Sequence, residues 1–129
     1  MRKKLLVVDD EFDIVNMLRD YFEMSGYDVL TALSGAEALE KLRLQPDMIL
    51  LDINMPDMDG LELIQQMQKK NNQIQFIVLS GYAEFSYAET AIRLGVKAYL
   101  LKPVSNDDLK EAFDKVYKEM EQTASIRQE

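Results

Sequence analysis

Four short apolar runs, each stopping at a residue able to do chemistry, constrain this chain more than any other feature. Residues 5–8 (LLVV) run into Asp9 and Asp10, residues 48–51 (MILL) into Asp52, residues 74–79 into Ser80, and residues 96–101 into Lys102. Runs of this length with little polar alternation read as strands buried on both faces, which is the habit of a parallel sheet covered by helices.

The stretches between them carry helical periodicity. After Asp9, Asp10 and Glu11, apolar residues at Ile14, Met17, Leu18, Tyr21 and Phe22 follow the stripe of an amphipathic helix, with Gly26 placed to end it. Residues 27–33 read as a further strand, and Ser34 with Glu37 forms a capping box for a helix over about residues 35–45, stopped before Pro46. The turn-rich stretch 54–60 precedes a helix to about Lys70, residues 83–94 form another with Gly95 as its cap, and Ser105 with Asp108 opens the last. Five strands thus alternate with five helices, an α/β doubly wound architecture in three layers. No repeat or low-complexity segment interrupts it, so residues 1–122 form one domain and 123–129 a tail or the start of a linker.

In such a sheet, ligands bind outside the carboxyl ends of the strands. That rule gathers Asp9, Asp10, Asp52, Ser80 and Lys102 at one edge, from four separate strand ends. Taken singly each has an ordinary reading. Asp after a strand is commonly the N-cap of the next helix, Ser80 a turn hydroxyl, Lys102 a solvated charge and Tyr99 core packing. Their joint placement at equivalent strand ends is what capping alone does not predict.

Composition narrows the chemistry. The chain has no Cys and no His, which removes disulfides, thiolate zinc sites, the commonest general base and any Ser-His-Asp triad. Three neighbouring carboxylates repel one another unless a hard cation or an ammonium offsets them, and Mg2+ suits few carboxylates with waters and a phosphate oxygen. Mn2+ is the alternative ion. Asp52 could itself be the nucleophile, as carboxylates are in aspartyl-phosphate chemistry, with Lys102 neutralising the equatorial oxygens and Ser80 donating to one of them.

Other motifs fail. An EF-hand alignment through Asp57, Asp59 and Gly60 puts Met55 and Gln66 where carboxylates are required, and no Gly-rich phosphate loop follows the first strand. A net charge of −8, from 15 basic and 23 acidic residues, opposes binding of this chain to DNA or an anionic membrane. The apolar runs are far too short to span a membrane, so the expected location is the cytoplasm.

The segments LLVVDDE, LLDINMPDMDGLEL, IVLSGYAEF and AYLLKP, in that order, closely resemble the receiver domain of bacterial two-component response regulators. The resemblance covers about residues 3–120. It implies a flavodoxin-like five-stranded parallel sheet in the order 2-1-3-4-5. It also implies that Asp52 accepts a phosphoryl group from a phosphohistidine on a sensor histidine kinase, and that Asp9, Asp10, Asp52 and the backbone carbonyl of Asn54 hold Mg2+. Lys102 would contact the phosphoryl group, Ser80 would be the switch hydroxyl, and Tyr99 the aromatic that turns inward behind it. Asn54 and Tyr82 would tune loss of the phosphoryl group, and Pro103 would follow a cis peptide bond. A phosphorylation-dependent homodimer through the fourth helix, fifth strand and fifth helix, displaying Tyr87, Arg93 and Lys97, is the implied assembly.

GYAEFSYA is most similar to receivers joined to an AraC-type helix-turn-helix domain. The expected role is control of such a transcriptional output, with DNA contacted only through a domain outside these 129 residues. A single-domain regulator or phosphorelay protein is the alternative. An Asp-nucleophile phosphatase is the weaker one, because Asn54 cannot supply the second acid or base. The chain is not expected to be an enzyme beyond its own phosphorylation and dephosphorylation.

Overall fold

The computed structural model describes residues 2–55, 59–81 and 85–128. Strands β1 (Lys4–Val8), β2 (Asp28–Ala32), β3 (Met48–Asp52), β4 (Gln75–Ser80) and β5 (Ala98–Leu101) alternate with helices α1 (Phe12–Met24), α2 (Gly35–Lys41), α3 (Gly60–Lys70), α4 (Phe85–Arg93) and α5 (Asn106–Gln128). The strands form one parallel sheet in the order β2-β1-β3-β4-β5, the order the sequence resemblance implies.

Alternate residues of the central strands feed two cores. Leu6, Val8, Ile49, Leu51, Phe76 and Val78 pack under Ala38 of α2, Leu63, Ile64 and Met67 of α3, and Ala91 of α4. Leu5, Val7, Leu50, Ile77 and Leu79 face the other way, under Leu18 and Phe22 of α1 and Leu109, Phe113 and Val116 of α5. β3 is buried along its whole length, whereas the edge strand β5 is only half-buried. Unbroken apolar runs are what central strands of a two-sided sheet demand.

Several element boundaries differ from the sequence expectation, each for a local reason. The strand expected at residues 27–33 starts at Asp28, because the Tyr27 N–H closes the end of α1 by donating to Phe22 O at 3.0 Å, around Gly26 at φ +100°. The strand expected from residue 96 begins at Ala98, since the Val96 N–H likewise caps α4 on Ala91 O. The helix expected to reach residue 45 leaves α geometry after Lys41 and ends in a 3-10 turn, Leu42–Leu44. A residue before proline avoids the right-handed helical region, and Gln45 resolves this in the left-handed one, at φ 59°. The backbone of α5 stays helical through 123–128, the stretch read as tail or linker, and no Gly or Pro after Pro103 would end it. Among the described residues no helix is long and apolar enough to cross a membrane.

Candidate functional site

The carboxyl ends of β1, β3, β4 and β5 lie side by side, because parallel register puts Val8 beside Leu51, Asp52 beside Leu79, and Ser80 beside Leu101. The residues just beyond therefore share one rim. Asp9 and Asp52 are buried, at 1% and 3% exposure, while Asp10 is exposed. Carboxylate oxygens of all three lie within 4.8 Å of one another.

The capping explanation for these carboxylates does not hold. The N-cap of α1 is Glu11, with no side-chain cap bond, and the N-cap of α3 is Asp59, which accepts from the Leu61 N–H at 3.0 Å. Asp9 instead takes the Glu11 N–H on Oδ1 at 3.0 Å, and its Oδ2 is buried with no hydrogen-bond partner among the described residues. Burial pushes the Asp9 carboxyl up to about 6; the Glu11 N–H opposes this and the charge of Asp52 adds to it.

Asp52 is held on both oxygens. Oδ1 accepts the backbone N–H of Asn54 at 2.9 Å, and Oδ2 accepts Lys102 Nζ at 2.9 Å. Burial draws the Lys102 ammonium down, but the hydrogen bond and charge of Asp52, with Asp9 and Glu11 beyond, outweigh it and hold the group above the ordinary lysine value. The lysine stays a cation beside the carboxylates. Its backbone N–H also donates to Ser80 O at 2.8 Å, tying β5 to β4 where Ser80 is buried at 1% exposure. The Lys102-Pro103 peptide is cis.

The sequence-derived residues thus fall together at this rim: Asp9, Asp10 and Asp52 as a cluster, Lys102 on Asp52, and Ser80 beside Lys102. Tyr99 stands apart on β5, half-buried against the core under α2, α3 and α4, its hydroxyl enclosed and without a hydrogen-bond partner among the described residues. Tyr82 lies outside the described residues. A contact that sequence reasoning missed joins the Asn54 side chain to the next strand end, where its Oδ1 accepts the backbone N–H of Gly81. A short amide two residues past a strand signals a loop contact but not its partner. Also missed was the role of Gly60: a Cβ there would lie 2.7 Å from Ile53 Cα, so only glycine lets α3 start against the β3 end.

The donor set suits a hard divalent cation. It consists of oxygens only, carries more negative charge than Lys102 offsets, and includes the buried Asp9 Oδ2, which has no hydrogen-bond partner among the described residues. Size alone does not locate this rim, since a cavity of about 790 Å3, lined by Lys3, Asp47, Gln75 and Lys97 among others, contains none of these residues.

The sequence profile of the response regulator receiver domain matches residues 5–114. The chain is 38% identical over 121 residues to the uncharacterized transcriptional regulatory protein YesN of Bacillus subtilis, covering 91% of this chain and 33% of that protein. It is 32% identical over 116 residues to sporulation initiation phosphotransferase F of the same organism, covering 89% of this chain and 94% of that one. The chain therefore spans a third of the regulator and nearly all of the phosphotransferase. A CheY-like response regulator receiver domain protein from Methanospirillum hungatei JF-1 superposes with a TM-score of 0.90 at 31% identity, over 95% of this chain and 99% of that one.

Proposed function

The chain belongs to the response regulator receiver domain family, and on that premise we propose that Asp52 is its phosphoacceptor and the rim around it the switch that reads the phosphoryl group. The observation that carries this reading is the state of Asp52: buried, flanked by two further carboxylates, and paired with the Lys102 ammonium at 2.9 Å.

In the proposed reaction, an Asp52 carboxylate oxygen attacks the phosphorus of a phosphohistidine on a sensor kinase. A P–O bond forms as the P–N bond breaks, and the imidazole nitrogen leaves with the bonding pair and takes up a proton. Lys102 gives up part of its bond to Oδ2 to neutralise charge on a phosphoryl oxygen, and Ser80 supplies a hydroxyl donor to another. Asp9, Asp10, Asp52 and the Asn54 carbonyl would hold Mg2+, with Mn2+ the alternative; when bound, the ion supplies charge neutralisation and a template for a phosphoryl oxygen. Asn54 and Tyr82 are proposed to set the lifetime of the adduct by controlling how water reaches it.

Movement of Ser80 and Lys102 toward the phosphoryl group drags the ends of β4 and β5, and Tyr99, whose hydroxyl is already enclosed in the unmodified domain, would be held in that inward position to complete the switch. The face through α4, β5 and α5 is the proposed readout and homodimer surface. It carries the exposed apolar side chains Tyr87, Ile92 and Leu101 beside the exposed Arg93 and Lys97. The kinship with YesN supports control of a transcriptional output domain, and the cytoplasm is the location proposed for a receiver domain of this family. The match along 94% of a phosphotransferase supports a second reading, in which the domain acts alone in a relay.

Incubation with a small acyl-phosphate donor, with and without Mg2+, followed by intact-mass measurement, tests the central step. A Mg2+-dependent phosphoryl adduct that disappears in Asp52→Asn is expected. An adduct that persists in that variant would place the chemistry elsewhere.

A further inference from the structure

Asn54 is tied to two strand ends at once. Its backbone N–H donates to Asp52 Oδ1 at 2.9 Å, while its side-chain Oδ1 accepts the backbone N–H of Gly81. Gly81 directly follows Ser80, at the end of β4, and β4 pairs with β3 so that Asp52 stands opposite Leu79. The Gly81 N–H is thus the first backbone donor past β4 on the Asp52 side, and a neutral carboxamide oxygen holds it.

Resting on the reading of Asp52 as phosphoacceptor, we propose that Asn54 is a positioning residue: it holds the Gly81 N–H in the unmodified domain and yields it to the phosphoryl group once Asp52 is modified. The direction of exchange follows from acceptor strength. A phosphoryl group brings three charged oxygens to Asp52, and hydrogen bonds to ionised acceptors are roughly twice as strong as those to neutral ones. The carboxamide loses that competition but delays it.

The surroundings permit the exchange. Gly81 is exposed, and the nearest atom to a Cβ built on it is Asn54 Oδ1 itself, at 3.5 Å. Among the described residues beyond its chain neighbours, no other atom lies within 4 Å of that position. Because Gly81 is bonded to Ser80, a shift of its N–H toward Asp52 also moves the Ser80 backbone, which couples the contact to the switch hydroxyl. Asn54 would thereby act as a brake on the switch through the β4 end, in addition to any effect on water near the adduct.

The test uses the full chain, isotopically labelled, in Mg2+, with beryllofluoride as the phosphoryl mimic. In the unmodified protein, through-hydrogen-bond coupling between the Gly81 amide nitrogen and the Asn54 side-chain carbonyl carbon is expected, which requires no variant. Asn54→Ala should speed exchange of the Gly81 amide proton at least tenfold, whereas Asn54→Asp, which keeps an acceptor, should retain protection. Beryllofluoride should abolish the coupling and bring the Gly81 resonance of the unmodified sequence and of Asn54→Ala to a common position, at several-fold lower concentration in the variant. Absent coupling, Gly81 exchange unaltered in Asn54→Ala, or a Gly81 resonance that stays put while others respond to beryllofluoride would each overturn the brake while leaving Asp52 as acceptor. Absence of any beryllofluoride response together with absence of a phosphoryl adduct would remove the phosphoacceptor reading and this one with it.

Discussion

Lys102 Nζ reaches across from the end of β5 to hydrogen-bond Asp52 Oδ2 at 2.9 Å, so the proposed nucleophile and its counter-charge come from strands separated by β4. The lysine side chain is 31% exposed and the aspartate side chain 4%, which leaves the carboxylate dependent on its partner while the ammonium can turn to water. Lys102→Ala should keep the fold but lower the stability of the metal-free domain by about 1–2 kcal/mol, a buried-pair loss discounted for the lysine's exposure. Mg2+ should bind several-fold tighter, because a competing cation has gone. Adduct should still form on Asp52, yet phosphorylation-linked dimerisation, followed by sedimentation, should be lost. Equal phosphate-linked association in the variant would count against a switching role for Lys102.

Asp9 makes the metal-free domain sensitive to pH in a direction opposite to that of a salt-bridged carboxylate. Its folded pKa, pushed up to about 6 first by burial, exceeds the ordinary 3.8. Between those values the folded state binds more protons than the unfolded one, so stability falls as pH rises and levels off above about 6. The whole effect is about 2–3 kcal/mol. Asp9→Asn keeps an acceptor for the Glu11 N–H and removes the charge, so urea unfolding in chelator at pH 7.5 should find it more stable than the parent by about 1–3 kcal/mol. At pH 4 the two should converge. Millimolar Mg2+ should stabilise the parent and leave the variant unmoved. Parallel stability curves across this range would show that Asp9 carries no such penalty.

Much of this rim was legible in the chain because parallel topology turns sequence position into location. A residue just past a buried strand must lie at one edge of the sheet, which is how Asp9, Asp52, Ser80 and Lys102 group together from the sequence. The order of the strands came from motif resemblance, since alternation alone does not choose among doubly wound arrangements. Contacts between loops were not legible. Asn54 and Gly81 are 27 residues apart, and their bond depends on loop shapes that no local propensity encodes. The same holds for the enclosed Tyr99 hydroxyl. The late starts of β2 and β5 reflect helix-terminating hydrogen bonds of the Tyr27 and Val96 N–H groups winning over strand propensity, and the early end of α2 reflects the restriction that Pro46 places on Gln45.

Gly60 should be the least replaceable glycine near the site. An added methyl would meet the Ile53 backbone at 2.7 Å, and backbone does not swing aside as a side chain can. Ile53 lies between Asp52 and Asn54, so the strain enters the site directly. Gly60→Ala is expected to lower stability by about 1–3 kcal/mol and slow phosphorylation by an acyl-phosphate donor. Gly95→Ala makes the comparison: Gly95 has φ +89° and open space around it, so the variant should lose about 1 kcal/mol from backbone strain with phosphorylation rate intact. Equal rates in both variants would separate Gly60 from the site.

The enclosed hydroxyl of Tyr99 sets a last expectation. A buried hydroxyl without a partner forfeits the hydrogen bonds it would make to water, a loss of about 1–3 kcal/mol. The ring itself packs against an apolar core, so the side chain gains from its ring and loses from its oxygen in the same position. An outward rotamer that wets the hydroxyl would compete on those terms, and the balance between the two is what a switch at this position would use. Tyr99→Phe removes the loss and keeps the ring. It should raise stability to denaturant by about 1 kcal/mol, and phosphorylation-linked dimerisation should begin at lower protein concentration, because the inward position no longer carries an unmet donor. Both are measurable on one preparation, by urea unfolding and by sedimentation with and without the acyl-phosphate donor. A variant destabilised by more than about 0.5 kcal/mol would mean that the hydroxyl has a partner in solution, and the enclosed position could not then be the strained member of the pair.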